Sequence, residues 1–222
     1  MYRLLNKYLN RDEQREFLSI VKSIYEHEEF QKRCTNIFPH HDNMTLGDHM
    51  IEVAIFTYIE CKKRTDVDLE TAVVTAMMHD LYTLPWQNNP ENCDTYFWNK
   101  HGFRHPLEAV INSVNWFPWI YEKYNSKVII DGIVHHMFPL PVRVYNDRDM
   151  ELKTIYSIEG KYEQDLIESC NRFRIGDASF CRSRFKEGRI VSMGDRKSTR
   201  LHLTNINSLT ASITGKNKNL TN

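Results

Sequence analysis

The apolar residues of this chain recur mostly at helical spacing, and strand-like alternation is rare. Over residues 11–33, Phe17, Ile20, Val21 and Ile24 fall on one stripe, which predicts an amphipathic helix. A polar break at "PHHDNMT" follows. Thr45 and Asp48 then match a capping box, in which hydroxyl and carboxylate each serve a free backbone N–H. The box opens "LGDHMIEVAIFTYIECKKR", where Ile51, Ala54, Ile55, Tyr58 and Ile59 share a face. Asp68 suits the N-cap of a helix over 69–82 that Pro85 closes off. Residues 87–104 read as a polar and aromatic loop, and Pro106 fits the first position of the helix "HPLEAVINSVNWF". Ser126 starts "SKVIIDGIVHHMF", which stops before Pro139 and Pro141. The pattern predicts five helices in the first 140 residues and an all-α fold.

Beyond that point the texture changes. Residues 145–187 are strongly charged, with a short helix around 161–172. An apolar helical register returns in "EGRIVSMGDRKSTR". The pattern predicts one domain over 1–200, with 145–187 inserted before the last core helix and 201–222 as a disordered tail.

Composition narrows the picture. Of the 222 residues, 41% are hydrophobic, enough for a real core. Lys plus Arg equals Asp plus Glu at 29 each, so no basic excess points to nucleic acid. No run approaches the ~20 apolar residues of a membrane span, and the N-terminal segment alternates charge with apolar residues, unlike a signal peptide. Five scattered cysteines with no C-x-x-C pair argue against a disulfide framework. A reducing cytoplasm is the expected location.

The candidate chemistry lies in the histidines. Eight of the ten fall between positions 40 and 136: His40, His41, His49, His79, His101, His105, His135 and His136. His79 and Asp80 are adjacent at the end of an apolar helix. Neighbouring helical side chains diverge by about 100°, so the two cannot chelate as an i, i+4 pair. At a helix end both can lean into a shared cleft. Imidazole suits borderline transition metals, and a carboxylate can bridge two cations. No Gly-rich phosphate loop is present.

The order His49, His79–Asp80, His105, His136 and a later Asp resembles the HD superfamily of metal-dependent phosphohydrolases, in its variant with two additional histidines. The segments "HDNMTLGDHMIEVA", "GFRHPLEA", "IVHHMFPLP" and "EGRIVSMGD" resemble the family's successive segments. The resemblance covers roughly residues 36–145 and 187–198. It implies an HD-domain helical bundle. It also implies that His49, His79, Asp80 and a closing Asp hold a first divalent ion, with Asp80 bridging to a second held by His105 and His136. Manganese, iron, cobalt, magnesium, nickel and zinc are not distinguished. The closing ligand is expected to be Asp195, for its apolar lead-in, with Asp177 in "RIGDASF" as competitor. His135, four residues after Asp131, fits a ligand or an oriented neighbour of one. His41, Arg104 and His101, with Lys100 as a weaker candidate, are expected to face substrate, and "DTYFWNKHGF" could stack on a base. The implied activity is hydrolysis of a phosphoester, of a nucleotide or related small molecule, with Asp80 as the catalytic residue beside the attacking water. A homo-oligomer is compatible with this. Two other readings compete: an HD-fold binding or regulatory domain without turnover, and an interaction protein working through 145–187.

Overall fold

The computed structural model describes residues 1–40, 44–88, 94–146 and 157–202. Among them are ten α-helices and three two-residue strands, so the fold is all-α apart from one small sheet. The N-terminal helices are α1 (Tyr2–Tyr8), α2 (Arg11–Tyr25) and α3 (Glu28–Arg33). The central pair is α4 (Leu46–Cys61) and α5 (Leu69–Met78). Then come α6 (His101–Trp116), α7 (Pro118–Lys123) and α8 (Ser126–Val134). After strand β1 (Val142–Arg143) come α9 (Gly160–Cys170), β2 (Arg174–Ile175), β3 (Ala178–Ser179) and α10 (Lys186–His202).

The core forms where α4, α5, α8 and α10 pack against one another. Helices α4 and α5 are buried nearly all round, and each polar residue on them is therefore a cost that needs a partner. Helices α8 and α10 cross closely. A Cβ placed on Gly188 would stand 2.7 Å from the Gly132 Cα, so only glycine permits this approach. The crossing sets the last helix against the chain end of α8. The sheet has the antiparallel order β1–β3–β2, with Gly176 at positive φ in the β2–β3 turn. Helix α9 packs on α8 and buries Leu166 and Cys170.

Among the described residues up to 140 there are eight α-helices, where five were expected. Helix α1 was not expected; it buries Leu4 and Leu5. The predicted helix over 11–33 is two, because His27 leaves helical geometry and its Nδ1 caps Glu29 N. A periodic stripe persists across such a break, so periodicity alone does not reveal it. Helix α6 starts at His101, with Pro106 inside it, not at its first position. Only half of the Thr45 box forms: Thr45 Oγ1 accepts from Asp48 N, whereas the Asp48 carboxylate lies 3.8 Å from Arg3. Asp68 does cap α5, through Thr71 N. That helix ends at Met78 with His79 as C-cap, four residues short of the expected end. Helix α10 extends to His202, past the expected start of the tail; the rest of that tail, 203–222, lies outside the described residues.

Candidate metal centre

The early end of α5 matters to the site. His79 and Asp80 sit where the helix unwinds, so both side chains turn into the same buried space. Three side chains clamp the backbone that follows. Asn112 donates to Leu81 O at 2.6 Å, Arg33 donates to Tyr82 O at 2.6 Å, and Glu108 accepts from Thr83 N at 2.7 Å. Arg33 is itself buried against Trp116 and Phe38.

Around the dyad, His49 from α4, His105 from α6, His136 from the end of α8 and Asp195 from α10 converge, all of them buried. The two Asp80 oxygens face different imidazoles. Oδ1 lies 3.3 Å from His105 Nε2 and 3.3 Å from His136 Nε2. Oδ2 lies 3.5 Å from His79 Nε2 and 3.8 Å from His49 Nε2. Asp195 Oδ1 stands 3.2 Å from His49 Nε2. The triads His49–His79–Asp195, His79–Asp80–His136 and His40–His49–Asp80 each have donor atoms close enough to hold a metal ion.

The tautomers of these histidines follow from their other nitrogens. His79 Nδ1 is 2.7 Å from Ala76 O, His105 Nδ1 is 3.1 Å from His101 O, and His136 Nδ1 is 2.7 Å from Ile133 O. A carbonyl has no hydrogen to give, so each Nδ1 carries the proton. His49 Nδ1 meets Ser198 Oγ at 3.1 Å, and Ser198 spends its one hydrogen on Glu52 Oε2 at 2.7 Å. His49 Nδ1 is thus a donor as well. In the neutral ring every Nε2 lone pair then points inward, the ligand form of imidazole.

Such an arrangement favours a cation. His105 Nε2 and His136 Nε2 are only 3.1 Å apart, so two neutral rings would set lone pair against lone pair. His79 Nε2 and Asp80 Oδ1 are buried without a directed hydrogen bond. A proton relieves part of this. Burial opposes charge on His136, but Asp80 and Asp195 outweigh it and raise its pKa above the ordinary value. Burial pushes His79 down to about 4, keeping it neutral at pH 7. Burial would raise Asp80 and Asp195, yet the surrounding imidazoles hold both below the usual carboxylate range. Imidazole nitrogens gathered around ionised carboxylates are the donor set of a borderline divalent metal once any proton is given up. The residues present fit such an ion.

The other expected site residues lie elsewhere. Asp177 is half exposed at the β2–β3 turn, accepting from Tyr96 and lying 3.6 Å from Arg174, away from the cluster. His135 turns from the cluster toward Cys181 Sγ at 3.5 Å, with Asp131 at 3.9 Å. Asp131 is taken up by Ser169, Arg172, Ser183 and the Arg184 N–H. His101 is buried, stacked on His105 and edge-on to Tyr82. Arg104 is buried too, at 2% exposure. His41 lies outside the described residues. The aromatic loop packs on itself, Phe97 and Trp98 against Phe103.

Sequence reasoning missed three participants. His40 lies against the His49 ring, with centroids 4.1 Å apart. Glu52 and Ser198 form the support behind His49, and His202 and Tyr8 also donate to Glu52. An acid amid the apolar run "IEVAIF", one turn after His49, was the available signal for Glu52. Ser198 had none. Among the described residues no helix is long and apolar enough to cross a membrane. Comparison of the chain with protein-family models, curated proteins and solved structures finds no match.

Proposed function

We propose that the chain is a metal-dependent phosphohydrolase of the HD type, acting on the phosphoester of a nucleotide or related small molecule. The observation that carries this reading is the division of four inward-facing imidazoles between the two oxygens of one buried carboxylate, Asp80. One side would gather His49, His79, Asp80 and Asp195, the other Asp80, His105 and His136. Divalent ions bound there would neutralise phosphate charge and activate a water for attack on phosphorus. The chain's own residues prepare the place. Backbone carbonyls fix the tautomers of His79, His105 and His136, and the Ser198–Glu52 pair fixes that of His49. The buried walls of α4 and α5 keep bulk water from the carboxylates. The clamp on residues 81–83 holds Asp80 in place. Pre-organisation of this kind is what ligation and catalysis need.

The test is elemental analysis after mild loading with manganese, cobalt, iron, nickel, zinc or magnesium, followed by a phosphoester panel with each loaded form. Up to two divalent ions per chain and metal-dependent phosphate release are expected. A chain that retains none of these metals would sink the proposal.

A further inference from the structure

We propose a second ligand site, outside the metal centre, that binds a nucleoside polyphosphate. It goes beyond the hydrolase reading and does not depend on it. An open pocket of about 580 Å³ lies beside the first turns of α10, within the size range of small-molecule sites. Among the described residues Arg172, Arg182, Arg184 and Arg189 line it, and no carboxylate does. Asp131, behind the wall, is within ion-pair range of Arg172 at 2.7 Å and Arg184 at 3.9 Å. Among the described residues Arg189 donates to the carbonyls of Ser183 and Arg184 and makes no ion pair. The Arg182 side chain is exposed and makes no ion pair among the described residues. Among the described residues lining or pairing with this pocket, four guanidinium groups face one buried carboxylate, Asp131, which makes the rim cationic. Their planar donors match the oxygens of a polyphosphate.

The same pocket presents aromatic surface. Phe138, Phe173 and Phe180 line it. Phe173 is 79% exposed and sits at φ +44°, a conformation strained for a residue with a side chain. A large apolar ring held outward on strained backbone gains nothing for the core, and such strain gathers at ligand sites. A base or other flat heterocycle stacked there, with its phosphates among the arginines, satisfies both halves. None of the lining residues belongs to the His/Asp cluster. Arg189 and Asp195 share α10 but lie six residues apart, which is about 9 Å along the axis and about 120° around it. The two sites therefore open on different sides of one helix.

The experiment is calorimetric titration of EDTA-treated protein with ATP, tripolyphosphate, adenosine and a single-stranded oligonucleotide. ATP is expected to bind at least roughly tenfold more tightly than tripolyphosphate or adenosine, since either half alone forfeits contacts. Arg182→Glu, at an exposed position without an ion-pair partner among the described residues, should weaken ATP by roughly tenfold or more. Phe173→Gly should weaken ATP and leave tripolyphosphate alone, while raising the melting temperature because glycine accepts the positive φ. Asp80→Asn should bind ATP normally, which separates this site from the metal centre. Equal binding of ATP and tripolyphosphate, or indifference to Arg182→Glu, would overturn the proposal. So would loss of ATP binding in Asp80→Asn, or tighter binding of the oligonucleotide than of ATP.

Discussion

The candidate metal centre and the arginine pocket are built on opposite plans. The histidines come from four separate stretches of chain, and each is held through its Nδ1 by a carbonyl or by Ser198. The arginines come from one stretch, 172–189, and one buried carboxylate, Asp131, organises much of it. A buried site of imidazole rings needs many small local supports. An exposed site of permanent charges needs one counter-charge and open water. The two should therefore fail differently when a single acid is removed.

The largest expected effect is at Asp80. Asp80→Ala removes the one carboxylate shared by both halves of the cluster, and metal-dependent turnover should drop by a factor on the order of 10³ or more, with bound metal lost. Near-normal turnover would show that Asp80 is no bridge. Asp131→Asn is the matching break in the other region. It leaves Arg172 and the Ser169 and Ser183 hydroxyls short of an ionised acceptor, at a cost of about 3 kcal/mol in denaturant unfolding. Metal content after loading should be unchanged, and a loss of metal would join the two regions energetically.

Acid sharpens the same contrast. His79 and His135 titrate near 4 in the fold against an ordinary 6.5 because burial disfavours their charged forms. Between pH 6.5 and 4 the unfolded chain binds the extra protons, so stability falls as pH is lowered through that window, by on the order of 3 kcal/mol for each ring. His136, raised in the fold, works the other way: its contribution is full below pH 6.5 and is lost as pH rises past its folded value. Thermal melts of EDTA-treated protein should show net loss from pH 6.5 to 4, and a flat profile would contradict the burial of these rings.

A smaller effect is expected behind His49. Glu52→Gln keeps size but weakens the acceptor of Ser198, and metal affinity should fall by roughly tenfold to a hundredfold, as for supports of a ligating histidine. Unchanged affinity in a metal titration would reduce Glu52 to core packing. The smallest effect is that of Asp177→Asn, which Asp195→Asn sets off as the matching change at the other candidate closing acid. Asp195→Asn should cost most of the affinity of the ion shared with His49, whereas Asp177→Asn, at an exposed turn, should shift stability by less than about 0.5 kcal/mol and metal binding not at all. The reverse pattern would reassign the ligand.

The sequence by itself determined the all-α character and the approximate positions of the long helices. Helical periodicity is local, and it needs only neighbours on one segment. Histidine clustering and the adjacent His79–Asp80 pair drew attention to the region, and the resemblance to the HD pattern, with the apolar lead-in to Asp195, pointed to His49, His79, Asp80, His105, His136 and Asp195. Tertiary structure decided the rest. That Asp195 and not Asp177 reaches the cluster depends on the Gly132–Gly188 crossing, which brings α10 against α8. That His136 points inward while its neighbour His135 turns to Cys181 depends on how α8 ends. Local pattern cannot express such facts, because each requires side chains far apart in the chain to meet in one buried volume. There, a donor's direction is set by the carbonyl or hydroxyl that happens to stand behind it.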